Sequence, residues 1–294
     1  MSEIQKTSQT PVGAPRIGVF DSGFGGLTVL RSLLSHIPSA EFFYLGDTAR
    51  LPYGSKSQAT VARYAVESAE LLESYGAQYL VIACNTASAL ALDAIRTAAQ
   101  VPVLGVIETG ADSAAASSIT RDVLVLATDA TVQSHAYAEA CAERGLRGIE
   151  KACPLLVPLI EEGWTGCDLK NATTGIVTRQ VLRIYLDEAL AEADARGYAL
   201  DTVLLGCTHY PLLREMLAES LPEKMTILDS AETTARRVRQ QLEAEGALPT
   251  AQGSNDGLTR CHFFATDSVD KFRTLGSRFL GQPIERVELI DLGG

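Results

Sequence analysis

Short apolar runs recur along the chain, and each stops at small or polar residues that open a stretch of helical periodicity. Ile17-Gly18-Val19-Phe20 ends at Asp21-Ser22-Gly23-Phe24-Gly25-Gly26, and Leu27 to Leu34 then reads as helix. Glu41 to Gly46 predicts a second strand, Ser57 to Tyr75 an amphipathic helix closed by Gly76, and Tyr79 to Ala83 a buried strand. Cys84-Asn85-Thr86-Ala87-Ser88 follows it and leads into an alanine-rich helix; Val101 to Val106 predicts one more strand. Strands that are apolar throughout, alternating with helices, predict an α/β fold with mainly parallel sheets covered on both faces.

The pattern then restarts. Asp122 to Ala127 predicts a strand ending at Thr128-Asp129-Ala130-Thr131, and Thr178 to Ala195 a long helix ended by Gly197. Thr202 to Gly206 predicts a strand, followed by Cys207-Thr208-His209 opening a helix. Ala231 to Gly246 reads as helix, Gly253 to Gly257 as loop, and His262 to Leu280 as strand plus helix. Each half carries a first strand ending in a small polar turn. Each carries a later strand ending in a small residue, a cysteine and a hydroxyl-bearing residue. The expectation is two similar doubly wound lobes with a site in the cleft between them. Residues 16–108 plus 220–294 would form the first lobe, 109–219 the second, and 1–15 a flexible tail.

Composition narrows the classes. The chain has 294 residues, 46% hydrophobic and 21% charged, as expected for a globular protein of two modest domains. A net charge of −11 without a basic run argues against nucleic acid or an anionic membrane as main partner. No apolar stretch approaches the ~20 residues that span a bilayer, and Met1 to Pro15 lacks a signal-peptide core, so a cytoplasmic location is expected. Six cysteines, Cys84, Cys141, Cys153, Cys167, Cys207 and Cys261, lie far apart without a C-x-x-C pair and are expected as thiols. A buried thiol usually fills space, and Cys141, Cys153, Cys167 and Cys261 keep that reading.

Cys84 and Cys207 are different. Both fall just beyond the carboxyl end of a predicted strand, where open α/β sheets bind ligands. Both precede a predicted helix, whose dipole favours loss of the thiol proton. If the lobes face each other, the sulfurs lie on opposite sides of one cleft. That arrangement suits inversion of a carbon acid next to a carboxylate. One group removes the proton from one face while the other returns a proton to the opposite face. Backbone N–H groups and the hydroxyls of Thr86 and Thr208 would stabilise the developing carbanion. The glycine turn lacks the lysine and spacing of a phosphate loop. Cys207-x-His209 has no second ligand pair for a metal.

Four motifs also carry a resemblance: Asp21-Ser22-Gly23-Phe24-Gly25-Gly26-Leu27, Pro52-Tyr53-Gly54-Ser55, Ala83-Cys84-Asn85-Thr86-Ala87 and Gly206-Cys207-Thr208-His209-Tyr210-Pro211. In this order they resemble the successive motifs of glutamate racemase, and the likeness runs from about Ile17 to Leu280. The resemblance implies that Cys84 deprotonates D-glutamate, assisted by Asp21, and that Cys207 deprotonates L-glutamate, assisted by His209. Glu161 resembles a further acid near the second cysteine, with Glu162 an adjacent alternative. Ser22, Pro52, Tyr53, Gly54, Ser55, Asn85, Thr86, Thr131 and Thr208 match substrate-holding positions, joined by Asp21 and His209. The family needs no cofactor or metal and supplies D-glutamate for peptidoglycan. A wall precursor as activator, with a contribution from the tail, is an expectation of the same kind; a homodimer is the base-rate expectation. Three other readings stay open: a racemase of the same superfamily acting on aspartate or hydantoins, a non-catalytic two-lobe small-molecule binding protein, and a redox thiol protein.

Overall fold

The computed structural model describes residues 13–166, 172–222, 225–248 and 257–292. The chain enters through β1 (Arg16–Asp21), α1 (Leu27–His36), β2 (Glu41–Gly46), α2 (Gln58–Ser74), β3 (Tyr79–Ile82), α3 (Asn85–Leu90), α4 (Leu92–Ala98) and β4 (Val103–Gly105). It crosses through α5 (Val106–Ser117) into β5 (Asp122–Ala127), α6 (Asp129–Gln133), α7 (Ala136–Glu143), β6 (Arg147–Ala152), α8 (Leu156–Glu161), α9 (Ala172–Arg196), β7 (Thr202–Gly206), α10 (Arg214–Ser220) and β8 (Thr226–Asp229). It returns through α11 (Ser230–Ala244) and closes with β9 (Cys261–Ala265), α12 (Val269–Leu280) and β10 (Glu288–Leu289).

The strands form a six-stranded sheet in the order β10-β9-β2-β1-β3-β4 and a four-stranded sheet in the order β6-β5-β7-β8. Every pairing is parallel. β1 and β5, the central first strands of the two sheets, are almost wholly buried. That is why they read as unbroken apolar runs rather than alternating ones. In each sheet the first strand is flanked by strands on both sides, so the chain departs in both directions and leaves a crevice beyond the carboxyl ends. Register fixes what stands at the crevice. Phe20 pairs with Ile82, which sets Asp21 beside Ala83 and just short of Cys84. Ala127 pairs with Gly206, which sets Thr128 beside Cys207.

Several expectations need correction. The strand expected over 101–106 is shorter, because Gly105 is the N-terminal cap of α5 and Val106 is already helical. The crossing expected at 109 therefore begins at 106. The return expected at 220 comes too early, because β8 pairs with β7 in the second sheet. α5 and α11 then lie against each other, with a 2.7 Å hydrogen bond between the hydroxyls of Thr109 and Thr234. Of the tail, residues 1–12 lie outside the described residues, as do Cys167 and residues 253–256 of the expected loop. One continuous apolar cluster includes Val19, Tyr44 and Val81 of the first sheet with Leu124, Leu126 and Val203 of the second.

Candidate active site between two sheets

Cys84 caps the N-terminus of α3, where its Sγ accepts a hydrogen bond from the Ala87 backbone N–H at 3.4 Å. Its thiol donates to Ser22 Oγ at 3.4 Å. The pull of the helix start on the Cys84 proton is outweighed here. Burial, and then the neighbouring Asp21 carboxylate, push the Cys84 thiol up to about 12, outweighing the donors at Ser22 and Ala87. Asp21 is itself buried, and burial raises its carboxyl above the usual range against the pull of the His209 charge. Its Oδ2 accepts from Gly23 N–H at 2.9 Å, while Oδ1 has no partner.

Cys207 differs from the expected helix start. The chain turns through Thr208 and His209 into a 3-10 segment, Tyr210–Leu213, and α10 begins only at Arg214. Cys207 therefore lies at a turn, with its carbonyl accepting from Tyr210 N–H. His209 is buried beside it, edge-on to the Phe279 ring at 5.0 Å. Burial disfavours the charged imidazole. Hydrogen bonds to Cys207 and Glu161 outweigh that and push His209 up to about 10. Glu161 Oε1 lies 3.3 Å from His209 Nε2, and its other oxygen lies 3.1 Å from Lys271 Nζ. These two partners hold the Glu161 carboxyl below its usual value despite its burial.

Cys84 and Cys207 both line one cavity of about 660 Å³, within the size range of small-molecule sites. Ser22, Pro52, Tyr53, Gly54, Ser55, Asn85 and Thr86 reach it from the first sheet, and Glu161, Thr208 and His209 from the second. Glu162 lines it too, but the contact with His209 belongs to Glu161. Tyr53 commits its hydroxyl to Asp47 at 2.5 Å. Asn85 accepts from the Tyr137 hydroxyl at 2.6 Å, which leaves its buried Nδ2 without a partner. A buried donor without a partner is costly and calls for an acceptor.

Two expected residues do not face the cavity. Asp21 stands behind it. Thr131 is fully buried behind Thr128, which does line the cavity and which sequence reasoning missed. Thr86, Thr128 and Thr131 form a closed triangle of hydroxyls at 2.9–3.3 Å that ties the lobes together. Lys271 was missed as well. Its sequence separation of 110 from Glu161 leaves no local signal. The apolar wall of Pro154, Val157 and Pro158 comes from α8 and the turn before it. Among the other described cysteines, Cys141 and Cys153 are wholly buried core residues, and Cys261 is half-buried. Among the described residues no group of three or more His, Cys, Asp or Glu side chains could hold a metal ion, and no helix is long and apolar enough to cross a membrane.

Residues 25–238 match the family model described as Asp/Glu/Hydantoin racemase. The chain belongs to this family. Within it, the chain is 51% identical to the glutamate racemase of Koribacter versatilis, covering 95% of this chain and 98% of that one. Its fold matches the crystal structure of Francisella tularensis glutamate racemase in complex with D-glutamate, with a TM-score of 0.81, 32% identity, and coverage of 95% and 98%. It also matches Escherichia coli glutamate racemase in complex with L-glutamate and the activator UDP-MurNAc-ala, with a TM-score of 0.71, 29% identity, and coverage of 96% and 100%. The racemase fold thus explains why the two sheets repeat one motif around one cavity.

Proposed function

We propose that this racemase interconverts L- and D-glutamate by proton transfer between Cα and two sulfurs, Cys84 and Cys207. The observation that carries the reading is the one cavity that both cysteines line, each from its own lobe. Close relatives that are glutamate racemases favour glutamate over aspartate or hydantoins, and favour catalysis over a binding or redox role.

In the L-to-D direction the Cys207 thiolate takes the Cα proton and becomes a thiol. The Cys84 thiol then gives its proton to the opposite face and becomes a thiolate. Burial of Cys84 suits it to holding a proton until substrate arrives. Asp21 assists Cys84 through its charge, which favours the protonated thiol, and His209 with Glu161 serves Cys207. The unpartnered Asn85 Nδ2 and the hydroxyls of Ser22, Thr86 and Thr208 bind the carboxylates and the developing enediolate, aided by backbone N–H groups of Gly54 and Ser55. The roles reverse in the other direction.

A circular-dichroism time course with L- and D-glutamate, and with aspartate, no cofactor supplied, tests this. Both glutamate enantiomers should converge on the racemate, and in deuterated water the product should carry deuterium at Cα. Cys84→Ser and Cys207→Ser should each lose at least about 1,000-fold in kcat, since each removes one of the two proton carriers. Inversion that survives either substitution sinks the two-sulfur mechanism.

D-Glutamate for peptidoglycan, in the cytoplasm, is the role that the family resemblance carries. The activator in the Escherichia coli complex makes a wall precursor the candidate regulator here, with residues 1–12 as a candidate contributor. A homodimer is the corresponding expectation for assembly.

A further inference from the structure

We propose that Lys271 is a positioning residue: from the first lobe it grips Glu161 of the second, so that the other oxygen of that carboxylate is aimed at His209. This rests on the reading that Cys207 and His209 serve glutamate racemisation. The chain of contacts runs Lys271 Nζ to Glu161 Oε2 at 3.1 Å, then Glu161 Oε1 to His209 Nε2 at 3.3 Å.

The two ends have different anchors. Lys271 sits in the first turn of α12, a twelve-residue helix whose inner face packs Phe272, Leu275 and Phe279 into the core beside α1. Its ammonium also lies over the Phe24 ring at 5.6 Å. Glu161 is the last residue of α8, a six-residue helix followed directly by Glu162 and Gly163. A carboxylate at the end of so short a helix has little of its own to hold its rotamer. The cation from the opposite lobe supplies that restraint, and it can do so only where the lobes come together. The Lys271 end of the pair is half-exposed and the Glu161 end mostly buried, so solvent weakens the attraction from one side and its value lies in aim more than in strength. A dicarboxylate substrate also adds negative charge to a cavity that Glu161 and Glu162 already line, and Lys271 offsets one of those charges.

Among the described residues, the titratable and charged groups that bear on Glu161 are few. His209 faces it from the turn after β7, with Cys207 on the far side of that imidazole, and Asp21 acts on it from the end of β1. Lys271 faces it from α12, Glu162 adjoins it just past the end of α8, and the Arg278 guanidinium lies beside Gly163. Of these, Lys271 alone touches its second oxygen. Lys271 favours the charged form of Glu161. Removing it lets Glu161 protonate at higher pH, so an acid limb that reports Glu161 moves upward.

Enantiomers have equal free energy, so kcat/KM must fall by the same factor in both directions, whichever sulfur is affected. A pH profile, rather than a directional difference, is therefore the informative readout. Lys271→Met should lower kcat/KM about tenfold, the loss typical of one hydrogen bond to a charged group, and shift the acid limb to higher pH. Lys271→Arg should restore both. Arg273→Met, which removes a cation from the same helix without touching Glu161, should leave the limb where it was. Carbon-13 carboxyl titration of the whole protein, with the Glu161 signal identified by its loss in Glu161→Gln, reads the ion pair without activity. Its midpoint should rise in Lys271→Met. An unmoved midpoint, or lost activity with an unmoved acid limb, overturns the proposal. A shifted midpoint in a protein that does not invert glutamate overturns the functional reading and the positioning role with it, leaving only the ion pair.

Discussion

A Cβ added at Gly25 would stand 2.2 Å from Thr208 Oγ1 and 2.6 Å from His209 Nδ1, far inside any tolerable contact. Gly25, two residues before α1, is therefore a packing constraint on the opposite lobe, not a phosphate cradle. Gly25→Ala should push the turn after β7 away from Cys84. It should lower kcat/KM at least about 100-fold, because proton transfer depends on reacting atoms held within a few tenths of an ångström. Its melting temperature should fall far less, since the clash can be relieved by opening the cleft. Thr128→Val keeps the shape of the hydroxyl triangle but leaves Thr86 and Thr131 short of a partner. A KM rise on the order of tenfold is expected from an unpaired hydroxyl, and an unchanged KM would place Thr128 outside the site.

Among the elements, α11 carries the return between sheets. Asp229 caps its N-terminus by accepting from Ala231 N–H at 3.1 Å, and its other oxygen pairs with Arg214 at 2.8 Å. Asp229→Ala removes the cap and should cost about 1 kcal/mol, which is a fall of roughly 2–4 °C in melting temperature. The helix is well packed on α1 and α5, so the rest of it should survive, as far-ultraviolet circular dichroism would show. A wild-type melting curve in this variant would mean that packing alone positions the helix.

The apolar core that runs across both sheets couples the lobes of the whole molecule. Calorimetry should therefore show one unfolding transition, and two separated transitions would mean that the lobes melt independently. Acid stability has a traceable component at Asp201. Its carboxylate accepts from Ser118 Oγ and from the backbone N–H groups of Ile119 and Thr120 at 2.7–2.9 Å. Partial burial opposes its charge, but these donors together with Thr202 lower it to about 2. A depressed folded-state value contributes stability that is present above the unfolded value near 4 and is lost as pH falls toward about 2. Asp201→Asn should flatten the stability-versus-pH curve in that window, as urea midpoints at stepped pH would reveal. Equal slopes would assign the loss to other carboxylates.

Legibility followed burial. β1, β3, β5 and β7 are enclosed by neighbours and helices, so their sequences are continuous apolar runs and their ends point at Asp21, Cys84, Thr128 and Cys207. β6, Arg-Gly-Ile-Glu-Lys-Ala, and β8 are edge strands with partly exposed faces, and no apolar run marks them. α5 was hidden because its opening valine continues the apolar run of β4. By itself the sequence determined the parallel α/β class, the duplication, and the two cysteines at strand ends, because local hydrophobic period and turn chemistry are written in consecutive residues. Only the tertiary structure decided that both cysteines line one cavity and that Thr128 rather than Thr131 lines it. It alone decided that Glu161 is the acid touching His209, with Lys271 behind it. Those are contacts between distant segments, set by sheet register and by how two lobes meet.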